Sequence, residues 1–559
     1  MKRLPLLTAL VTVLLFSCKD KGVSGLAIPK DALLVVHVNT SSLTSKLSWK
    51  EIRETDWFRE MASKQHDSLA QQIFADPEKS GVDVKSDFIY FMKKQGRGGY
   101  MAVEGKLKDA TAFEAMLKQM HHNAATEKDG DLKFMKGEDN AVIAWTDKKF
   151  YGIIDAPFFA HMNPMMGGNG AANASFPVDS LKQFAKDLTA LKSDNSLDKD
   201  DRFNDLMKES GDVHFWMNSE QYTSTLGGGM LSMMKINTLF QGNAAAMTLN
   251  FDQGKISVKS KQYLGPEMQK IFDKSTSKNV SASLINRIPS QNVVGALAIN
   301  IDPAGIREFL RAAGLDGMVN GFLGQVNYSL DELINATKGE FLVAVSDLQM
   351  KEQAVTLPPG YEKYMDKNQI QNMRTTKPDM KLIFATSVND RASFEKLINI
   401  SKEKMGPATA SVNFKLNDQW FVAGNNAEAV DQFLAGGNHN IPFADKISGH
   451  PFGLFVDIQK ILQSGRTMLK NAADSAEYNV NSKMWRDITA TGGEYKNASI
   501  TSSMEVNLVD QSTNSLKQLN QYGNQMSAAK KLRVPQLDMH SDSTTVFNVP
   551  LDTTVHTNQ

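Results

Sequence analysis

Apolar residues recur along this chain at two spacings. ALLVVHV (Ala32–Val38), DFIYFM (Asp87–Met92), GYMAVEG (Gly99–Gly105), NAVIAWT (Asn140–Thr146) and KFYGIID (Lys149–Asp155) are short and rich in β-branched and aromatic residues, which predicts strands. ATAFEAMLKQM (Ala110–Met120) and SLKQFAKDLTAL (Ser180–Leu191) repeat their apolar positions every three or four residues, which predicts amphipathic helices. EFLVAVS, KLIFATS, SFEKLINI and QWFVAG carry the same theme through the second half. KDGD (Lys128–Asp131) and DQG (Asp252–Gly254) suit hairpin turns. Neighbouring strands joined by short turns imply antiparallel pairing, so the expected class is α+β, with helices packed on one face of each sheet.

The pattern also repeats itself. IPKDALLVVHVNTSSL (Ile28–Leu43) returns as IPSQNVVGALAINIDPAGI (Ile288–Ile306), with Asn39 and Asn300 at the strand exits. Gly98–Leu117 matches Asp379–Ile398, aligning Asp109 with Asp390 at a position suited to a helix N-cap. Val213–Tyr222 matches Leu454–Leu462, aligning Asn218 with Asp457, and Met247–Gln253 matches Met504–Gln511. Four matches in one order predict two duplicated α+β domains, residues 25–278 and 279–526, followed by a flexible polar tail at 527–559.

Composition narrows the partners. Lys plus Arg equals Asp plus Glu at 62 each, so no basic surplus speaks for a nucleic-acid ligand. Methionine is abundant, 28 against 11 Tyr and 6 Trp, which favours adaptable apolar surfaces.

The one cysteine, Cys18, bears on location. Lys2 and Arg3 precede an apolar run, LPLLTALVTVLLF, too short for a permanent span of about 20 residues. It matches the core of an export signal, and LFSC (Leu15–Cys18) resembles a bacterial lipobox. Residues 1–17 then read as a signal peptide, with Cys18 as the lipidated first residue of an 18–24 tether. Lys19 after the cysteine favours the outer membrane by the same resemblance, while Lys19–Lys21 leaves the periplasmic and external faces open. Together with the lipobox, IPKDALLVVHVNTSSL and DPEKSGVDVKSDFIYFM (Asp76–Met92) resemble an uncharacterised family of large Bacteroidota lipoproteins catalogued only as a domain of unknown function. That resemblance implies an envelope location and carries over no functional residue.

Catalytic signatures do not emerge from the motifs. No G-x-S-x-G elbow occurs, and a lipidated cysteine offers no thiol nucleophile. The S-x-x-K tetrads at Ser275 and Ser401 lack companion motifs. His37 and His214 sit inside apolar strands and read as satisfied sheet histidines. HMNPMM gathers His161, Met162, Met165 and Met166, with Met230, Met233 and Met234 further on. Soft thioethers beside an imidazole suit Cu(I), but adaptable packing is the stronger reading, and no cofactor is expected. The expected role is non-catalytic: a lipid-anchored envelope protein that binds or scaffolds, with the membrane, through the lipid on Cys18, and an envelope protein as its expected partners, and a groove between its halves. An envelope hydrolase with a site assembled from scattered residues is the alternative, and a Met-rich copper-binding lipoprotein the third reading.

Overall fold

The computed structural model describes residues 27–533 apart from 64–71, 74, 97, 122–123, 139, 157–174, 227–234, 276–277, 355–373, 406–411 and 438–439. β1 (Leu34–Val38) leads into α1 (Thr40–Lys46), α2 (Trp49–Arg53) and α3 (Asp56–Ser63). β2 (Phe88–Gln95) and β3 (Gly98–Lys106) precede α4 (Ala110–Met120). β4 (Glu127–Asp129), β5 (Leu132–Lys136), β6 (Ala141–Trp145) and β7 (Lys149–Asp155) follow, then α5 (Val178–Thr189) and α6 (Asp201–Lys208). After β8 (Val213–Asn218), α7 (Ser219–Leu226) and α8 (Ile236–Leu239), the hairpin of β9 (Ala244–Asp252) and β10 (Lys255–Tyr263) ends in α9 (Pro266–Phe272).

After a short helix at Ala282–Ile285, the second half continues with β11 (Val293–Asn300), α10 (Pro303–Ala312), α11 (Asp316–Gly324) and α12 (Leu330–Ala336). Long strands β12 (Thr337–Ala354) and β13 (Arg374–Val388) lead to α13 (Arg391–Met405), β14 (Asn413–Leu416) and β15 (Trp420–Gly424). Next come α14 (Ala427–Leu434), α15 (Ala444–Ile447), β16 (Phe452–Asp457), α16 (Ile458–Ser464) and α17 (Ala472–Met484). β17 (Trp485–Lys496), β18 (Ser499–Leu508) and α18 (Ser515–Lys531) complete the described chain.

All strands join one antiparallel sheet, and the fold is α+β. Its centre is the pair β10–β18, in register from Lys255↔Asn507 to Tyr263↔Ser499. Outward from there one side runs β10-β9-β8-β1-β2-β3-β7-β6 and the other β18-β17-β16-β11-β12-β13-β15-β14. The two sides have the same rank order, and β5 and β4 extend the first. Three of the four sequence matches join strands of equal rank. The fourth does not: Met247–Gln253 lies in β9 and its turn, Met504–Gln511 in β18 and beyond it, whereas β9 ranks with β17. Both segments alternate at period two, and alternation carries no information about rank.

Helices cover both faces of the sheet, not the one face expected. In β6, Val142 and Ala144 enter a core with Leu181, Ala185 and Leu188 of α5, while Trp145 enters a second core with Phe113, Met116 and Leu117 of α4. Neighbouring strand residues point to opposite faces, so a strand apolar at every position needs two covers. In the second half, α14 and α15 pack on Ala296, Leu342 and Phe455. Ala336 and Phe394, from α12 and α13, meet Phe421 in a further cluster.

The described chain is helical past residue 527, the expected start of the tail. α18 continues through Lys531, because Ala529 is buried and Lys531 pairs with Glu60 at 2.9 Å. α18 also docks on the first half: Trp57 Nε1 donates to Asn520 Oδ1 at 3.1 Å, and Lys517 pairs with Glu51 at 2.7 Å.

Candidate functional site

On one face, α5 and α6 cover the first half of the sheet and α14 and α15 the second. Between these layers the floor turns polar. Paired residues of antiparallel strands share a face, so Thr248, Lys259, Ser503 and Thr491 form one row across four strands. Ala246, Lys261, Thr501 and Glu494 form the next. Leu206 and Glu209, at the end of α6, wall one side, and His450, beyond α15, walls the other. The groove encloses about 410 Å³.

Its charges have both signs. His450 Nδ1 meets Glu494 Oε1 in a short contact, and Thr248 Oγ1 donates to Glu209 Oε2 at 2.7 Å. Thr491 and Ser503 share a hydrogen bond of 3.2 Å on the floor, while Ser260 and Ser502, which alternate with the two lysines and so point to the other face, bond across the central pair at 2.6 Å. Lys261 lies over the Tyr263 ring at 4.8 Å, whereas Lys259 pairs with no carboxylate among the described residues. Donors and acceptors thus stand in rows that suit a polar ligand. Among the described residues no hydroxyl bonds to His450.

A buried polar chain leads into the groove wall. β1 and β8 pair His37 opposite His214, and their Nδ1 atoms are 3.0 Å apart. His37 Nε2 meets Asp87 Oδ2 at 3.0 Å, and His214 Nε2 meets the Glu209 carbonyl at 3.1 Å. A carbonyl only accepts, so His214 donates from Nε2, and as a neutral ring accepts His37's Nδ1 proton at its own Nδ1. Beside this chain Asp212, fully buried, accepts from Lys46 Nζ, Ser42 Oγ and the Phe251 N–H, each at 2.6 Å.

Burial first, and neighbouring His37 second, hold His214 below its ordinary value of 6.5. Between that value and the lower folded one, the unfolded chain binds a proton that the folded chain refuses, so stability falls as pH drops below about 6.5. Urea midpoints should therefore fall from pH 7.5 to 5.5, and His214→Gln should reduce the difference. An identical pH dependence in both proteins would refute this.

The sequence-matched polar residues turn out to be helix caps. Asn39 accepts from Ser42 N and Asp109 from Thr111 N and Ala112 N. Asn218 accepts from Gln221 N, Asp390 from Ala392 N, and Asp457 from Lys460 N. Asn300 breaks the series: it ends β11 buried, and Asp302 caps α10 instead. None of these residues lines the groove. Cys18, His161, Met162, Met165, Met166, Met230, Met233 and Met234 lie outside the described residues. Among the described residues no three His, Cys, Asp or Glu side chains gather as a metal site, and no helix is long and apolar enough to cross a membrane.

No curated protein matches the chain. Solved structures of TP0453 in crystal forms I, IV and III align at 9%, 11% and 10% identity, with TM-scores of 0.23, 0.24 and 0.23. They cover 43%, 45% and 48% of this chain and 80%, 87% and 87% of that one, a likeness too low to carry an argument. The family model described as a domain of unknown function, DUF4836, matches residues 26–516, and the chain belongs to that family.

Proposed function

We propose that this protein is a lipid-anchored component of the cell envelope, most simply of the outer membrane, that acts by binding and not by catalysis. The central groove is its ligand site and Cys18 its attachment point. The observation that carries the binding reading is the groove floor: two cross-strand rows of hydroxyls and lysines, with Lys259 unpaired among the described residues and no hydroxyl on an imidazole. Such a surface recognises a polar partner by hydrogen bonds and offers no activated nucleophile. The equal rank order of strands on the two sides supports two related halves, with the groove where they meet. The anchor reading is supported by the basic start, apolar run and lipobox-like LFSC.

Affinity capture from solubilised envelopes tests both parts. Wild-type protein should fractionate with membranes and retain a stoichiometric partner or glycan. Lys259→Glu should lose that partner while staying in the membrane, and Cys18→Ala should move to the soluble fraction. Capture indifferent to Lys259→Glu removes the groove from the reading, and a membrane-bound Cys18→Ala chain removes the anchor.

A further inference from the structure

Along one face of β10 every second side chain is polar, and the compensation of charge stops where the groove begins. Lys255 pairs with Glu505, and Ser257 donates to Asp252. Further along the same face, inside the groove, Lys259 and Lys261 pair with no carboxylate among the described residues. The Tyr263 ring under Lys261 orients its ammonium group without neutralising it. Same-face neighbours on a strand are about 7 Å apart. Two ammonium groups at that spacing close on one oxyanion, each about 2.8 Å from an oxygen.

Hydroxyls and then carboxylates surround the lysines. Ser503 stands opposite Lys259 and Thr501 opposite Lys261, while Thr248 flanks Lys259 on the other side. Beyond Thr248, Glu209 accepts its hydroxyl at 2.7 Å, and beyond Thr501, Glu494 meets His450. A bulge brings Glu494 there: β17 shifts register between Gly492 and Glu494, so Glu494 and not Gly493 stands opposite Thr501. A carboxylate has about four acceptor positions, so one bond at each leaves room for a ligand's hydroxyls.

This order of groups selects among ligands. Only a negative group compensates the two lysines, and a polyanion would meet Glu209 and Glu494 on either side. A peptide strand has no edge to join, because β9 and β18 both pair with β10, and β10 and β17 both pair with β18. From β9 to β17 the floor spans three strand spacings, about 14 Å, wide enough for two linked sugar rings. The 410 Å³ enclosed falls within the range of small-molecule sites, about 300–1,000 Å³.

We infer that the groove binds a short acidic saccharide, with one carboxylate or phosphate held by Lys259 and Lys261 and hydroxyls on Thr501, Ser503 and the flanking carboxylates. This rests on the reading of the groove as the ligand site. Calorimetric titration of the lipidated full chain in a polyoxyethylene detergent tests it. The probes are lactose and lactobionate, trehalose and trehalose 6-phosphate, and triglutamate. At least one acid should bind roughly tenfold tighter than its neutral parent, and the better acid tells carboxylate from phosphate. Lys259→Gln with Lys261→Gln should remove that gap and leave the circular-dichroism spectrum unchanged.

Equal binding of acid and parent overturns the inference, as does a gap that survives the double substitution. Triglutamate binding tighter than either acid also overturns it and marks a peptide site. If no probe binds while Lys259→Glu still loses the envelope partner, the acidic saccharide is refuted and the groove reading stands. If the partner also ignores Lys259→Glu, the groove reading has failed with it.

Discussion

Replacing Asp212 with alanine is expected to destabilise the protein by about 3–4 kcal/mol. The carboxylate is fully buried and ends three hydrogen bonds of 2.6 Å, from Lys46, Ser42 and the Phe251 backbone. Removing it strands an ammonium group and two donors. Lys46 is 21% exposed, so water relieves part of its loss, which keeps the figure below the upper end for a fully buried pair. Asp212→Asn retains the volume and an acceptor, and should cost about half as much. Asp212 also ties α1 to the β9 end and to the stretch between α6 and β8 that supplies Glu209 to the groove wall. The substitution should therefore weaken retention of any groove partner as well as lower the urea midpoint. A loss under about 1 kcal/mol would mean that the three donors find other acceptors.

Much of the local structure was legible in the sequence, because period and caps are local properties. Ala110–Met120 forms the helix its spacing predicts, with Asp109 as its N-cap and Phe113, Met116 and Leu117 buried. The strand segments around Val35, Ile89, Ala102 and Val142 also pair antiparallel as expected. What failed was whatever depends on distant pairing. His37 and His214 are 177 residues apart, and each alone is a polar misfit in an apolar strand. Two such misfits were the available signal, but only the β1–β8 register sets them face to face. The groove was equally hidden, since Thr248, Lys259, Ser503 and Thr491 meet only through three separate strand pairings. Asn300 shows the limit of matching by type. The Asn that caps α1 at position 39 has its counterpart in Asp302, because β11 runs on to Asn300 before α10 starts.

Gly339→Ala is the second substitution with a large expected effect, about 3–5 kcal/mol of lost stability. Gly339 sits where the β12–β13 register shifts, at φ +96°, a conformation that costs an L-residue about 1–3 kcal/mol. A Cβ there lies 1.9 Å from the Ile301 carbonyl oxygen and 3.1 Å from Pro303 Cδ. The carbonyl is backbone and cannot rotate away, and the Ile301 N–H bonds Gly339 O at 2.9 Å. The chain between β11 and α10 must therefore shift as a unit, adding about 1–3 kcal/mol of packing loss. Gly321→Ala in α11 provides the contrast. It meets nothing within 4 Å in an exposed helix, so the same added methyl should raise stability by about 0.5–1 kcal/mol through helix propensity. Urea melts of the two variants beside wild type should move in opposite directions. If Gly339→Ala instead melts within about 1 kcal/mol of wild type, β12 relaxes at its register shift, and the close approach of Ile301 does not fix where α10 and α11 begin.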